Sequence, residues 1–99
     1  MQRLITGIIE ARTPRLGDTD GQEDPKVCAH FFCCLNGWDW WMTEYDPETR
    51  EAFGFVQGFA NEWGYFSLAE MEELNRSKGF SVIERDGYFK PKPVSECRR

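Results

Sequence analysis

The chain has 99 residues and a net charge of −5, and 15% of its residues are aromatic. This length allows one domain, residues 1–99, and the aromatic content suffices for a packed core, which excludes a chain that is disordered throughout. No stretch approaches the roughly 20 apolar residues that a membrane span needs. The apolar run near the start is short and is interrupted by Glu10 and Arg12, unlike a signal peptide, so we expect a cytoplasmic protein.

A short helix is predicted over residues 4–12, and Pro14 marks its end. The apolar residues expected on its buried face are Leu4, Ile5, Ile8 and Ile9. Residues 16–26 are rich in Gly, Asp and Pro, which is typical of an acidic loop.

A β-hairpin with strands 27–34 and 38–45 is predicted next, because Asn36 and Gly37 both tolerate positive φ. A three-residue loop, 35–37, sorts the side chains of the two strands into an apolar and a more polar face. The cross-strand pairs that this register predicts on the apolar face are Cys34 with Trp38, Phe32 with Trp40, and His30 with Met42.

A third strand is predicted over residues 52–59, in which phenylalanines recur at alternate positions. Ser67 and Glu70 form a capping box, which predicts a helix over 67–76. Its buried stripe is expected to contain Leu68, Met71 and Leu74.

Near the end of the chain we predict either two short strands, 80–84 and 87–90, or one strand with a turn at Asp86-Gly87. An extended tail follows, which its prolines keep from being helical. These elements together predict an α+β fold. We expect a small antiparallel sheet of three to five strands, with a central aromatic hairpin and one or two helices packed on one face.

Cysteine and histidine side chains are the candidate metal ligands: Cys28, His30, Cys33, Cys34 and Cys97. Neighbouring Cys33 and Cys34 point to opposite faces of a strand, and the paired CxxC units of zinc sites do not occur. We therefore predict no metal and no cofactor, with the cysteines acting as small apolar residues and His30 as a partly buried histidine of the core. A zinc site and a disulfide are the alternatives.

Catalytic motifs do not occur in the sequence: it contains no nucleophile elbow, no P-loop and no dinucleotide-binding fingerprint. The chain has one histidine, which we place in the sheet, so it offers few side chains suited to general acid–base catalysis. We therefore predict a protein that is not an enzyme. A small hydrolase with a polar pocket near Glu44 or Glu84 is the alternative.

Charge is unevenly distributed along the chain. Residues 1–75 carry 14 acidic and 5 basic side chains, whereas residues 76–99 carry 7 basic and 3 acidic ones. Such an acidic body is repelled by nucleic acid and attracted to basic surfaces, including those of proteins that bind nucleic acid. We expect a protein partner and no direct contact with nucleic acid or membrane; a merely solubilising surface is the alternative.

Acidic residues are concentrated between positions 39 and 73, where the only basic residue is Arg50. Spaced carboxylates can imitate a row of phosphates and occupy a basic groove. Trp41, predicted on the more polar face of the hairpin, is of the type most enriched in binding hot spots. The candidate partner-binding residues are Trp41, Glu44, Asp46, Glu48, Glu70, Glu72 and Glu73. An ordinary solvated surface is the alternative.

Six segments carry a family likeness that runs in order through nearly the whole chain: GQEDP (21–25), VCAHFF (27–32), WDWWMTEYDP (38–47), FGFVQGF (53–59), GYFSLAEMEEL (64–74) and IERDGYFKPKPVSE (83–96). On these segments the chain resembles the family called domain of unknown function 2958, whose members look like proteins carried by bacteria, plasmids and phages. The resemblance implies no activity and no catalytic residue, and its pattern does not require cysteines at 28, 33 and 34. It suggests an accessory gene of a mobile element.

We therefore expect a non-enzymatic acidic binding protein, a monomer or homodimer, that engages a bacterial protein. For a gene carried by a mobile element, this indicates an anti-defence inhibitor, anti-CRISPR or anti-restriction, that occupies the basic surface of a nucleic-acid-binding defence effector. The alternative is an accessory or structural module of plasmid or phage replication or conjugation machinery, with the sheet as an oligomer interface.

Overall fold

The protein folds into two antiparallel sheets and one long helix, and the computed structural model describes residues 3–98. The elements in chain order are α1 (Gly7–Arg12), β1 (Lys26–Val27), β2 (Ala29–Cys33), β3 (Asp39–Asp46), β4 (Glu51–Gln57), β5 (Asn61–Ser67), α2 (Leu68–Lys78), β6 (Ile83–Arg85), β7 (Lys92–Pro93) and a 3₁₀ turn (Val94–Glu96). The larger sheet has the strand order β5-β4-β3-β2-β6, and β1 pairs with β7. The predicted α+β fold is thus confirmed.

Helix α2 follows its local signals. The Ser67 side chain accepts a hydrogen bond from the Glu70 N–H, which is one of the two bonds of the predicted capping box. Gly79 ends the helix in the left-handed conformation. Leu74 is half-exposed, contrary to prediction, and Asn75 is buried instead. The Asn75 side chain both donates to and accepts from the backbone of Ile83, with both bonds 2.9 Å long, which ties α2 to β6.

The register of the central hairpin differs by one residue from the predicted one. The Cys33 N–H donates to the Trp38 carbonyl, so the loop has four residues, 34–37, and His30 lies opposite Trp41 rather than Met42. Side chains on both faces of this hairpin are covered by other parts of the chain. The predicted division into a buried and a polar face, which favoured the shorter loop, therefore does not apply.

Two cores lie on the two faces of the larger sheet. The first contains residues of both helices, such as Ile9 and Met71, so the helices pack on one face as predicted. The second lies on the opposite face, where Val94 and Phe89 pack against Trp41. We call the described part of the chain that follows β6 the C-terminal segment. Pairing of β7 with β1 and a hydrogen bond from the Val94 N–H to the Pro25 carbonyl hold this segment in place.

Several other predictions differ from the structure. Strand β5 was not predicted. Of the two alternatives for residues 80–90, the structure has the single strand, β6 (Ile83–Arg85), with a turn at residues 87–88, so residues 87–90 do not form a second strand. Phe59 lies outside β4 and is fully exposed, and Ile8 of α1 is also exposed. Within residues 3–98, none of the helices is long and apolar enough to cross a membrane.

Candidate functional site

Strand β5 is one edge of the larger sheet, so its backbone groups that point away from β4 pair with no other strand among residues 3–98. Sheet edges are commonly protected by lysine, proline, a β-bulge or a covering segment, because an open edge invites another strand to pair with it. The sequence of β5, NEWGYFS, contains neither lysine nor proline, its register with β4 is regular, and none of its residues is fully buried. The edge is therefore open to a further strand.

On one face of the sheet, β5 carries exposed aromatic side chains. Trp63 and Tyr65 are 40% and 65% exposed, and both contact Phe53 of β4, with ring centroids 5.8 and 4.9 Å apart. We call Phe53, Trp63 and Tyr65 the outer aromatic surface. Tryptophan and tyrosine are the aromatic residues most enriched in binding hot spots, because they combine a large apolar area with a polar atom.

On the other face, an open groove of about 490 Å³ runs between β5 and α2. Its apolar lining includes Trp38, Trp40, Val56, Phe66, Met71 and Leu74. Glu62 of β5 and Glu70 of α2 line the same groove and give it negative charge. We call it the acidic groove. The open edge of β5 thus lies between two surfaces that are largely apolar.

Trp41, the predicted aromatic contact residue, lies inside the second core and is only 6% exposed. Its ring stacks on the His30 ring with centroids 3.8 Å apart, and its indole N–H donates to Gln57 over 2.8 Å. The face that we predicted to be outward is covered by the C-terminal segment. Trp41 therefore stabilises the fold in this structure and does not present a surface to a partner.

Glu44 is also internal. The residue is 2% exposed, and its carboxylate accepts hydrogen bonds from the backbone N–H of Gly17 (2.7 Å) and of Thr19 (3.0 Å), and from the Thr19 hydroxyl. These bonds hold the acidic loop against β3. Of the two carboxylates named for the small-hydrolase alternative, Glu44 is thus bound by the loop, and Glu84 lies partly buried on β6, opposite Phe32.

Glu72 forms a half-buried ion pair. Its carboxylate binds the Arg50 guanidinium over 2.7 Å and accepts from the Leu4 N–H over 3.1 Å. Burial acts to raise the pKa of Glu72, but the hydrogen bonds from Arg50 and Leu4 outweigh it and lower that pKa. The pairing also raises the pKa of Arg50, so both groups stay charged at neutral pH.

Replacing Glu72 by glutamine should change how stability depends on pH. A carboxyl whose pKa is depressed on folding stabilises the folded state above its unfolded-state pKa of about 4.5, and this contribution is lost as pH falls through the folded-state pKa. Urea midpoints measured from pH 7 down to about pH 3 should therefore fall more steeply for the wild type than for Glu72→Gln. The exposed Glu48→Gln is the control, and a difference between wild type and Glu72→Gln that stays constant below pH 5 would contradict the account.

The remaining predicted residues are scattered. Asp46 accepts from the Glu48 N–H within the β3–β4 turn, whose residues do not line the acidic groove. Glu73 is paired with Arg76 on the surface. Of the predicted set, Glu70 alone lines the groove. Glu62, Trp63 and Tyr65 were missed. The signal that could have found them is the alternation in EWGYF, which is typical of a half-buried strand.

His30 lies between two carboxylates, as a partly buried histidine. Its Nε2 is 2.6 Å from Asp39 and its Nδ1 is 3.3 Å from Asp86, and the side chain is 12% exposed. The ring can donate from both nitrogens only when it is protonated. Both nitrogens are engaged within the fold, an arrangement that fixes the ring between β3 and the C-terminal segment.

The cysteines of the described chain are free thiols. Cys28 and Cys33 are buried, Cys34 is exposed and Cys97 is partly buried. Burial raises the pKa of the Cys28 and Cys97 thiols, which keeps both protonated at neutral pH. Within residues 3–98, no group of three His, Cys, Asp or Glu side chains is arranged to hold a metal ion.

Comparison with known proteins gives a family without an assigned activity. A family model described as a protein of unknown function (DUF2958) matches residues 3–97, nearly the whole chain. No match was found among the curated proteins or among the solved structures.

Proposed function

We propose that this chain, which belongs to the DUF2958 family of proteins of unknown function, is a non-enzymatic binding protein that captures an extended, basic segment of a bacterial protein along β5. The observation that carries the proposal is the open edge of β5, with the outer aromatic surface on one side and the acidic groove on the other. Addition of a strand to an exposed sheet edge is a recurring mode of peptide recognition.

A strand added to β5 alternates its side chains between the two faces of the sheet. One set would pack on Trp63 and Tyr65, and the other set would enter the acidic groove. Main-chain hydrogen bonds to β5 would supply affinity for any extended segment, and the two surfaces would supply selectivity.

Charge indicates which side chains enter the groove. Glu62 and Glu70 line it together with Trp38 and Leu74. Lysine and arginine fit such a lining, because their aliphatic stems pack on apolar groups while their charged ends reach carboxylates. The net charge of −5 further favours encounter with a basic partner.

A basic partner is expected among proteins that bind nucleic acid, since their binding surfaces carry lysine and arginine. We therefore propose an anti-defence inhibitor, anti-CRISPR or anti-restriction, encoded by a mobile element, that binds a basic segment of a defence effector. This mode of binding differs from the predicted imitation of a row of phosphates by carboxylates, because Glu44 and Glu72 are bound to other groups of the fold. The open edge and the charge support this class of partner.

A second candidate is self-association of two β5 edges into one continuous sheet, as an accessory or structural module of replication or conjugation machinery would use. The unprotected edge favours it. Against it, each copy would bring its own Glu62 and Glu70 to the shared edge, and like charges in contact are unfavourable.

The test is a quantitative pull-down from a bacterial lysate containing CRISPR and restriction systems, followed by binding measurements with the purified captured protein. Two variants probe the surface: Trp63→Ala with Tyr65→Ala, and Glu62→Lys with Glu70→Lys. Because hot-spot residues contribute at least ~2 kcal/mol each, both variants should weaken binding by roughly 30-fold or more.

Matched controls are Tyr88→Ala, which removes an aromatic side chain that is 96% exposed elsewhere, and Glu48→Lys, which reverses an exposed charge in the β3–β4 turn. Both should bind as the wild type does. Equal binding by all variants would contradict the proposal, and recovery of the chain alone, as a dimer, would favour self-association.

A further inference from the structure

A second cleft adjoins the acidic groove at the end of the sheet where the β2–β3 loop and the β4–β5 turn lie side by side. Its volume is about 580 Å³, and Trp38 lines both the groove and this cleft. We call it the tip cleft. Trp38 and Phe59 are its aromatic residues, and none of the described residues that line it is charged, whereas Glu62 and Glu70 line the groove.

The aromatic pair of the tip cleft is held in place on one side and open on the other. The β4–β5 turn packs directly on the Trp38 ring, because a Cβ atom at Gly58 would lie 2.7 Å from two of the ring carbons. Phe59 contacts Trp38 edge to face, with ring centroids 5.0 Å apart, and yet it is 99% exposed. Aromatic rings attract a further ring at centroid distances of roughly 4.5–7 Å. A ring that entered the cleft would also remove Phe59 from water, which is favourable.

The alternation of side chains along β5 brings the groove and the tip cleft onto one line. Glu62, Gly64 and Phe66 line the groove at every second position of the strand. A segment added to β5 likewise places every second side chain in the groove. The side chain two residues beyond the one beside Glu62 lies roughly 7 Å further along and passes the first residue of β5. It therefore reaches the tip cleft, which Asn61 and Phe59 line.

The direction of the captured segment follows from the sheet that it joins. Every strand pair of the larger sheet is antiparallel, and antiparallel pairing is slightly more stable per residue than parallel pairing. Strand β5 begins at Asn61, beside the tip cleft, and ends at Ser67, where α2 starts. An antiparallel segment therefore reaches the tip cleft with its C-terminal end.

We propose that the tip cleft binds an aromatic side chain that follows the basic residues of the captured segment on their C-terminal side. Such binding rests on the proposed capture of a strand by β5, and it adds a direction and an anchor residue to the sequence that is recognised. In that sequence, basic residues alternate with other residues, and the aromatic residue stands two positions after the last basic one. Its ring packs on Phe59 and Trp38, and the uncharged lining of the cleft suits a ring better than a further lysine.

The test is an NMR titration of the purified chain with two synthetic peptides of identical composition and charge, blocked at both ends. The forward peptide is Val-Lys-Val-Lys-Val-Lys-Val-Phe, and the reversed peptide has the same residues in the opposite order. Both should shift the amide resonances of β5. The forward peptide should also shift those of the β4–β5 turn and bind roughly tenfold more tightly, because its aromatic ring alone reaches the tip cleft.

Variants assign this preference to the tip cleft. Phe59→Ala should weaken binding of the forward peptide roughly tenfold, to the level of the reversed peptide, since it removes one of the two rings. Because Phe59 is exposed, its replacement should leave the urea midpoint unchanged. Phe80→Ala makes the same change at a phenylalanine that is 50% exposed and lines neither the groove nor the cleft, and it should alter affinity less than about twofold.

The outcomes separate the tip cleft from the capture of a strand. Equal affinities of the two peptides, with shifts of the β5 amides by both, would overturn the role of the tip cleft and leave capture by β5 standing. Equal weakening by Phe80→Ala and Phe59→Ala would do the same. If neither peptide gave a saturable shift in β5, capture by this strand would be contradicted, and the role of the tip cleft with it.

Discussion

Replacing Gly54 by alanine is expected to destabilise the protein by more than ~3 kcal/mol, the largest effect of any change of this size in the sheet. Gly54 pairs with Met42, next to a β-bulge of β3 that lies between Met42 and Glu44. A Cβ atom at this position would lie 2.0 Å from the Trp41 carbonyl oxygen and 2.9 Å from its carbonyl carbon. These are backbone atoms of a central strand, so the clash cannot be relieved by rotating a side chain.

The matched control for this prediction is Gly64, which lies directly opposite Gly54 on β5. A Cβ atom there has no neighbour within 4 Å. Gly64→Ala should therefore leave the free energy of unfolding within ~1 kcal/mol of the wild type, on the stabilising side, because alanine loses less conformational entropy than glycine. Urea denaturation of both variants measures the difference. If Gly54→Ala lost no more stability than Gly64→Ala, β3 and β4 would not approach each other at Gly54 as closely as described.

Replacing Glu44 by glutamine is expected to cost ~3 kcal/mol, the second large effect. The buried carboxylate accepts from three donors of the acidic loop, at Gly17 and Thr19. Glutamine has the same shape as glutamate but only one side-chain oxygen. Its amide NH₂ group would therefore face donors of the loop instead of accepting hydrogen bonds from them. A buried donor left without an acceptor costs its full desolvation energy. The loop should also lose its attachment to β3.

Urea denaturation at pH 7 measures this cost, and amide exchange of Gly17 and Thr19 reports the loop. Glu48→Gln removes a charge of the same kind from an exposed position, and its free energy of unfolding should change by less than ~0.5 kcal/mol. If Glu44→Gln were as stable as Glu48→Gln, Glu44 would have to be a surface residue, as the sequence alone suggested.

The position of α2 could be predicted from the sequence because it depends on residues that are close together in the chain. The capping box at Ser67 and the terminating Gly79 placed α2 to within about one turn, because these signals act within a few positions along the chain. The hairpin was also found, but its register was not. Whether a loop of three or four residues forms depends on what covers each face, and the C-terminal segment that covers Trp41 is about fifty residues away in sequence.

The candidate surface was less predictable, for a related reason. A count of acidic residues does not separate Glu44, bound by a loop more than twenty residues away, from Glu70, which lies in an open groove. The edge position of β5 is likewise a property of strand order and not of its own residues. Gly64 also weakens the pattern by which β5 could have been recognised as a strand.

Capture of a partner strand by β5 is most directly tested by hydrogen exchange of the β5 backbone amides, measured for the chain alone and bound to the protein recovered in the pull-down. An added strand turns the outward-pointing amides of Asn61–Ser67 into hydrogen-bonded ones. Exchange of alternate amides in this strand should therefore slow by roughly tenfold or more, while amides of the β3–β4 turn keep their rates. Unchanged exchange throughout β5, with protection elsewhere on the chain, would contradict the account.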